Sequence, residues 1–472
     1  MPAPYLPVEI ILMILAFVPD IETLFVLRLL NQNWLTAVNN RIGKIIFCDW
    51  RMRSWKRLKN TAGNSQLARR ARDLVLKVSD NHFHQDYNTK RSGRAIKFQR
   101  FFKYAVPRLT ELESLCIRVE TIRSAPKKTR DYFLDKREYI QGLMAALFGI
   151  FEQNRKLKAF STDMLPFYAS FPALGNHRKS PFEILKYLRL ESLKLGYTGV
   201  ETDKECFFAD SFVDPTKRWL IPFRSTLRKV SITCWGFNLL DLKGLVNDAS
   251  SELPALDRLE SLELRGHAFF EDDVLNWILA SGKRLTTLIL DDCAIVYGAQ
   301  AGIISKEAGR VASVSFWRED DEEFVHIVLN ESRWSKWFNR FKEGLPKLSY
   351  FRMGNSRIRR PGERGPFYAS ERFGTRPPYV VPKTMFGLFA DRYLGRYDEQ
   401  ADVPLWVLDF PSDTNMVTPG SQDLAADLEA LRSLFAHIGQ TVAEDATSDH
   451  AGYVRGLVGH VRERGRIVGE VV

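Results

Sequence analysis

Few residues of this chain stand at spacings that could do chemistry. His82-Phe83-His84 with Asp86 comes nearest to a metal site. Zinc needs a third and a fourth ligand at a readable spacing, and these do not follow, so the pair reads as surface histidines. The five cysteines, Cys48, Cys116, Cys206, Cys234 and Cys293, are scattered, and none belongs to a Cys-x-x-Cys pair. Cys116 and Cys293 adjoin apolar, strand-like residues, the setting of buried thiols in a reducing compartment. No Cys lies near a His that would argue for a nucleophile. The chain lacks His-Glu-x-x-His, Gly-x-Ser-x-Gly, Gly-x-x-x-x-Gly-Lys-Ser/Thr and Gly-x-Gly-x-x-Gly. Nothing here asks for an enzyme, so no catalytic residue, cofactor or metal is expected. Asn330-Glu331-Ser332 is a glycosylation sequon, which has no meaning inside a cell.

Charge is the other chemistry on offer. The net charge is +11, and it is local. Residues 51–103 hold 15 Lys or Arg against Asp73, Asp80 and Asp86, and 15 − 3 gives +12. Such a patch suits nucleic acid, acidic lipid or an acidic protein, and it also suits a plain solvated face. The run Arg318-Glu319-Asp320-Asp321-Glu322-Glu323 reads as a solvated helix start. No apolar run approaches the roughly 20 residues that span a bilayer, so no membrane is expected.

The elements that must carry these residues follow from apolar spacing. Residues 44–47 form a short apolar segment, 50–72 a basic helix or pair of helices, and Leu74, Leu76 and Val78 alternate as a strand. One phrase then returns, Leu-x-x-apolar-x-apolar. It stands at Leu112/Leu115/Ile117, Leu190/Leu193/Leu195, Leu227/Val230/Ile232, Leu259/Leu262/Leu264, Leu285/Leu288/Leu290 and Leu348/Phe351/Met353. Ala71/Leu74/Leu76 and Leu157/Phe160 are weaker copies. The copies at Leu259 and Leu285 are 26 residues apart, within the leucine-rich-repeat range. One such strand cannot hide its apolar face, but stacked strands can, each returning through a helix on the outer side. Residues 272–280 read as one such helix. Trp334, Trp337, Phe338 and Phe341 form an aromatic helical stripe of the kind that makes core. Residues 357–382 read as a long Arg/Gly/Pro-rich loop, 403–410 as a strand and 421–438 as an amphipathic helix.

The first forty residues are the most informative. Pro7 suits a first helical turn, Asp20 a helix cap, and Asn31-Gln32-Asn33 a break before Trp34, so three short helices are expected. From Ile10 to Val18 the first is apolar on every side. Such a helix is buried all round, yet forty residues cannot bury it alone. With Glu9 before the run, no Lys or Arg ahead of it and no small-x-small site after it, a secretory signal does not fit.

The series Leu6-Pro7-x-Glu9-Ile10-Ile11, Ile14-Leu15, Asp20-Ile21-x-x-Leu24, Leu27-Arg28 and Trp34 resembles an F-box, the three-helix module of SCF ubiquitin ligases. With the irregular repeats behind it, the chain resembles the F-box proteins of fungi. The resemblance implies a non-catalytic substrate-recognition subunit, intracellular, in the cytoplasm and/or the nucleus. Leu6, Pro7, Glu9, Ile10, Ile14, Leu15, Leu24, Leu27, Leu30 and Trp34 would make or support the surface for the Skp-type adaptor of a cullin-RING ligase. The repeats would hold an unidentified protein substrate. The alternative is a nucleic-acid or chromatin-associated protein using residues 51–103, although nucleic acid is not the partner expected. The fold class expected is α/β, a small three-helix F-box followed by an irregular leucine-rich-repeat-like solenoid with a parallel sheet and outer helices. The expected domains are the F-box at 1–45, a basic connector and first repeat at 46–105, repeats at 106–355, the loop at 356–400, a final strand and helix at 401–440 and a tail at 441–472.

Overall fold

A computed structural model of the chain describes residues 6–17, 21–42, 44–49, 52–79, 104–120, 151–152, 154–166, 185, 188–198, 219–239, 255–269, 272–291, 293–300, 313–318, 323–329, 332–354, 379–381, 393–398, 401–404, 421–440 and 442–444. His82, His84, Asp86, the Asp20 cap and most of the 357–382 loop lie outside the described residues. The chain divides into two compact units. The first is Met1–Thr198, Arg218–Val230 and Ile358–Thr375, and the second is Gly199–Lys217, Ser231–Arg357 and Arg376–Val472.

The first unit begins with α1 (Val8–Phe17), α2 (Ile21–Leu27) and α3 (Gln32–Ile42). The Pro7 carbonyl accepts the first helical bond of α1, from Ile11 N–H at 3.1 Å. Asn31 stops one helix and starts the next. Its Oδ1 accepts from Asn33 N–H at 2.9 Å and Trp34 N–H at 3.1 Å, satisfying donors that a helix N-terminus leaves open. After a tight turn α3 runs into β1 (Ile45–Asp49). Then come α4 (Met52–Gly63) and α5 (Ser65–Arg70), with Asn64 capping α5 through Gln66 and Leu67 N–H. The strands β2 (Asp73–Ser79), β3 (Ser114–Glu120), β4 (Ala159–Pro166) and β5 (Ser192–Thr198) follow, and β1 to β5 pair in parallel in chain order.

The repeated phrase sets this register. Leu74 pairs with Leu115, Leu115 with Phe160 and Phe160 with Leu193, while Leu76, Ile117, Thr162 and Leu195 form the next row. All eight are buried. One backbone device recurs just before each strand. Lys44 O accepts from Arg72 and Asp73 N–H, Arg72 O from Glu113 and Ser114, Glu113 O from Lys158 and Ala159, Lys158 O from Glu191 and Ser192, and Glu191 O from Arg228 and Lys229. The same position carries charge of changing sign. Arg72 and Lys158 both pair with Glu113 at 3.5 Å, and Lys156 and Arg72 together hold the Glu111 carboxyl below the usual carboxylate range. These pairs are well exposed, so they fix register more than they add stability.

β6 (Lys229–Leu239) comes next; in the second unit, β7 (Ser261–Phe269) pairs in parallel with β8 (Thr287–Asp291), and β8 with β12 (Tyr350–Gly354). Helix α6 (Asp273–Ser281) links β7 to β8, and α7 (Trp334–Gly344) leads into β12. Trp334, Trp337, Phe338 and Phe341 of α7 are all buried; Phe269 stacks on Trp337, Phe351 meets Phe338 edge-on, and Phe435 of α8 (Ser421–His437) packs on Phe351.

The α/β class and the parallel strands of the expected fold hold, but the F-box followed by a repeat solenoid does not. The sheet of the second unit forks. Up to Arg265 β7 pairs with β8, and from Ala268 it pairs with β9 (Ala294–Gln300). Between these stretches Gly266 has φ 68°, a left-handed conformation that glycine adopts without a Cβ penalty. Beyond the fork the sheet is mixed. β11 (Glu323–Leu329) is antiparallel to both β9 and β10 (Ser313–Arg318); after the short β13 (Tyr379–Val381), β14 (Tyr393–Asp398) lies parallel to β9 and antiparallel to β15 (Ala401–Pro404). The physical reason lies in Ala294-Ile295-Val296-Tyr297, a β-branched and aromatic run where a repeat would place an outer helix. Nor do α1 to α3 stand apart as an F-box, because α3 passes into β1 with no linker.

Candidate functional site

The N-terminal helices divide the expected adaptor residues into two sets. Ile11 and Leu15, four apart on one face of α1, close on Leu24, Trp34, Ala37 and Val38, with Leu27 packed against them. Leu15, Leu24 and Trp34 therefore hold the hairpin together. Leu6, Pro7, Glu9, Ile10, Ile14 and Leu30 are exposed.

The exposure goes further than the sequence reading reached. Val8, Leu12 and Met13 of α1, Val26 of α2 and Leu29 in the turn after it are also open to water. Met13 is 60% exposed, Val26 63% and Leu29 84%. Among the described side chains of α1 only one stripe is covered, although from Ile10 onward the run is apolar on every side. That all-round apolarity was the readable signal for these missed residues. Scattered exposed apolar side chains are ordinary, but several turns of them on one small hairpin mark an interaction surface. Fully burying each would contribute about 1.5–3 kcal/mol.

A lipid surface suits this face poorly. The last turn of α1 carries no basic residue and its first turn carries Glu9, whereas interfacial helices set a cationic face beside the apolar one. At about 1.5 Å per residue its ten residues reach roughly half of a bilayer's apolar core. Among the described residues, no helix is long and apolar enough to cross a membrane.

A second set of chemically able residues lies within the sheet of the second unit. The Arg265 guanidinium pairs with Glu263 and, at 3.4 Å, with Asp291, which is fully buried. His267, also fully buried, sits with Nε2 3.2 Å from Ile232 O, and burial pulls its pKa down to about 4. The Cys293 thiol donates to Leu264 O at 3.3 Å. Arg265 offsets the two carboxylates, and no group of three His, Cys, Asp or Glu that could hold a metal occurs among the described residues. This reads as a network that fills the fork of the sheet.

No family model matches the chain, and no curated protein does. Among solved structures, a sugar phosphate isomerase/epimerase from Parabacteroides distasonis aligns over 68% of this chain and 88% of its own, at 10% identity and a TM-score of 0.17. A likeness that slight carries no argument about this chain's chemistry. No F-box or leucine-rich-repeat family model matches the chain. The reading of the chain as an SCF substrate-recognition subunit, an F-box followed by a repeat solenoid, is overturned, since the sheet of the second unit is forked and mixed and α3 runs directly into β1. An α/β scaffold also serves many enzymes, so the fold does not exclude catalysis.

The open apolar surface of the hairpin is the candidate site. The hairpin core positions it, and Asn31 fixes the turn that presents Leu29 and Leu30.

Proposed function

We propose that the chain docks a second protein on the apolar face of α1 and the α2–α3 turn. The observation that carries the reading is the exposure of Leu12, Met13, Val26 and Leu29 around a hairpin whose own core is already closed. A standard interface buries about 800 Å² per partner around a few well-packed anchors, and long apolar side chains at helical spacing are such anchors. A Skp-type adaptor, implied by the Leu6–Trp34 pattern, is one candidate occupant and supplies the first bait. We place the protein inside the cell, a reading supported by Cys48, Cys116 and Cys293, which form no disulfide.

The test compares the wild-type chain with Met13→Glu/Leu29→Glu. Both positions point to water, so the variant should unfold at the same temperature. Purified Skp-type adaptor, and then affinity capture with quantitative mass spectrometry, should show at least one protein held by the wild type and weakened about 100-fold or more by the double charge. Identical partners for the two chains would overturn the proposal.

A further inference from the structure

A second surface of the first unit is built from charge. Helix α4 exposes Lys56, Arg57 and Lys59, α5 exposes Arg69 and Arg70, and Arg108 follows on the short 3-10 turn Val106–Arg108. None of these six cations forms an ion pair with a described carboxylate. Elsewhere in the same unit exposed cations do find partners: Arg72 and Lys156 pair with Glu111, and Lys158 with Glu113. The two parts of the patch meet at Tyr104. Lys59 Nζ lies 6.0 Å from its ring centre and the Arg108 guanidinium 3.8 Å, with Arg108 also donating to the Tyr104 carbonyl.

We infer that this face docks an acidic polypeptide segment with interspersed apolar residues, on a partner protein. Two observations favour a peptide over a phosphate backbone. Apolar surface is interleaved with the cations, since Leu67 is 43% exposed and Tyr104 40%. Arg108 also lies over the Tyr104 ring, so that face is not offered to a stacked base, the platform that single-stranded nucleic acids use. Carboxylates spaced along an extended or helical segment would meet the cations of α4 and α5, and their apolar neighbours would cover Leu67 and the ring edge.

The experiment is fluorescence anisotropy with the full chain at about 50 mM salt, low enough to keep such attraction visible. The probes are a labelled Glu/Asp-rich peptide bearing Leu and Phe, its Gln/Asn counterpart, and single- and double-stranded oligonucleotides of equal charge. The acidic peptide should bind, the neutral counterpart at least tenfold more weakly. Lys56→Glu/Lys59→Glu/Arg70→Glu should cost the peptide at least tenfold with unchanged circular dichroism. The milder Lys56→Gln/Lys59→Gln/Arg70→Gln should cost less and guards against a folding defect. Met13→Glu/Leu29→Glu should bind the peptide as the wild type does, which separates this surface from the apolar one. Absent peptide binding, equal binding by the charge variants, or tighter binding of either oligonucleotide would overturn the inference.

Discussion

Trp34 and His267 show how much one side chain can settle. The Trp34 indole closes the small core under α1, with Ile11, Leu15, Leu24, Ala37 and Val38 as its buried companions and Leu27 packed against them. Trp34→Ala should destabilise the hairpin by about 3–5 kcal/mol, because a core this small cannot collapse onto the cavity. Hydrogen exchange of the α1 and α3 amides should report the loss, while amides of β2 to β5 stay protected. His267 makes a pH prediction with a definite sign. Its folded pKa of about 4 lies below the ordinary 6.5, so the unfolded chain binds the extra proton first. Stability is complete above pH 6.5 and falls as pH drops from 6.5 towards 4, by about 3 kcal/mol in all. His267→Gln should lack that component when urea midpoints are compared across the range. Each residue is plain in the sequence, but its burial is not.

At the scale of elements, several boundaries are made by residues far away in sequence. The N-terminus of α7 has no cap of its own, since Arg333 offers none. Buried Asp427 of α8 supplies it, accepting from Ser335 N–H at 2.6 Å across 92 positions. Asp427→Ala should cost about 1–3 kcal/mol because it strands a part-buried donor at the helix start, and Asp427→Asn clearly less, by thermal melting. Gln440 copies a neighbouring strand for β12: its Oε1 accepts from Phe351 N–H at 2.9 Å and its Nε2 donates to Phe351 O at 3.0 Å. Gln440→Ala should cost about 1–2 kcal/mol and speed exchange at Phe351. At the fork of β7, Gly266→Ala should cost about 1–2 kcal/mol, since a Cβ there meets a left-handed backbone. The helix over 421–438 and the α7 aromatic stripe were legible from spacing. The fork was not, because a positive φ leaves no mark in an apolar pattern.

At the scale of the molecule, the open apolar face should govern behaviour in solution. Wild-type protein without its partner should sediment with associated species that Met13→Glu/Leu29→Glu lacks, although both unfold alike. The positive charge gathered in residues 51–103 should make that association weaker at low salt, where like-charged molecules repel, than at high salt. The amino-acid order by itself determined the strands: each copy of the Leu-x-x-apolar-x-apolar phrase with a described partner lies in register, because a period of two must put its large side chains on one buried side. It also determined that α1 would be apolar all round. Only the tertiary structure decided which face of α1 the chain covers, where the sheet of the second unit branches, and that α3 leads straight into the first strand of the sheet. Those outcomes depend on contacts between residues distant in sequence and on one glycine's backbone angle, and local apolar spacing encodes neither.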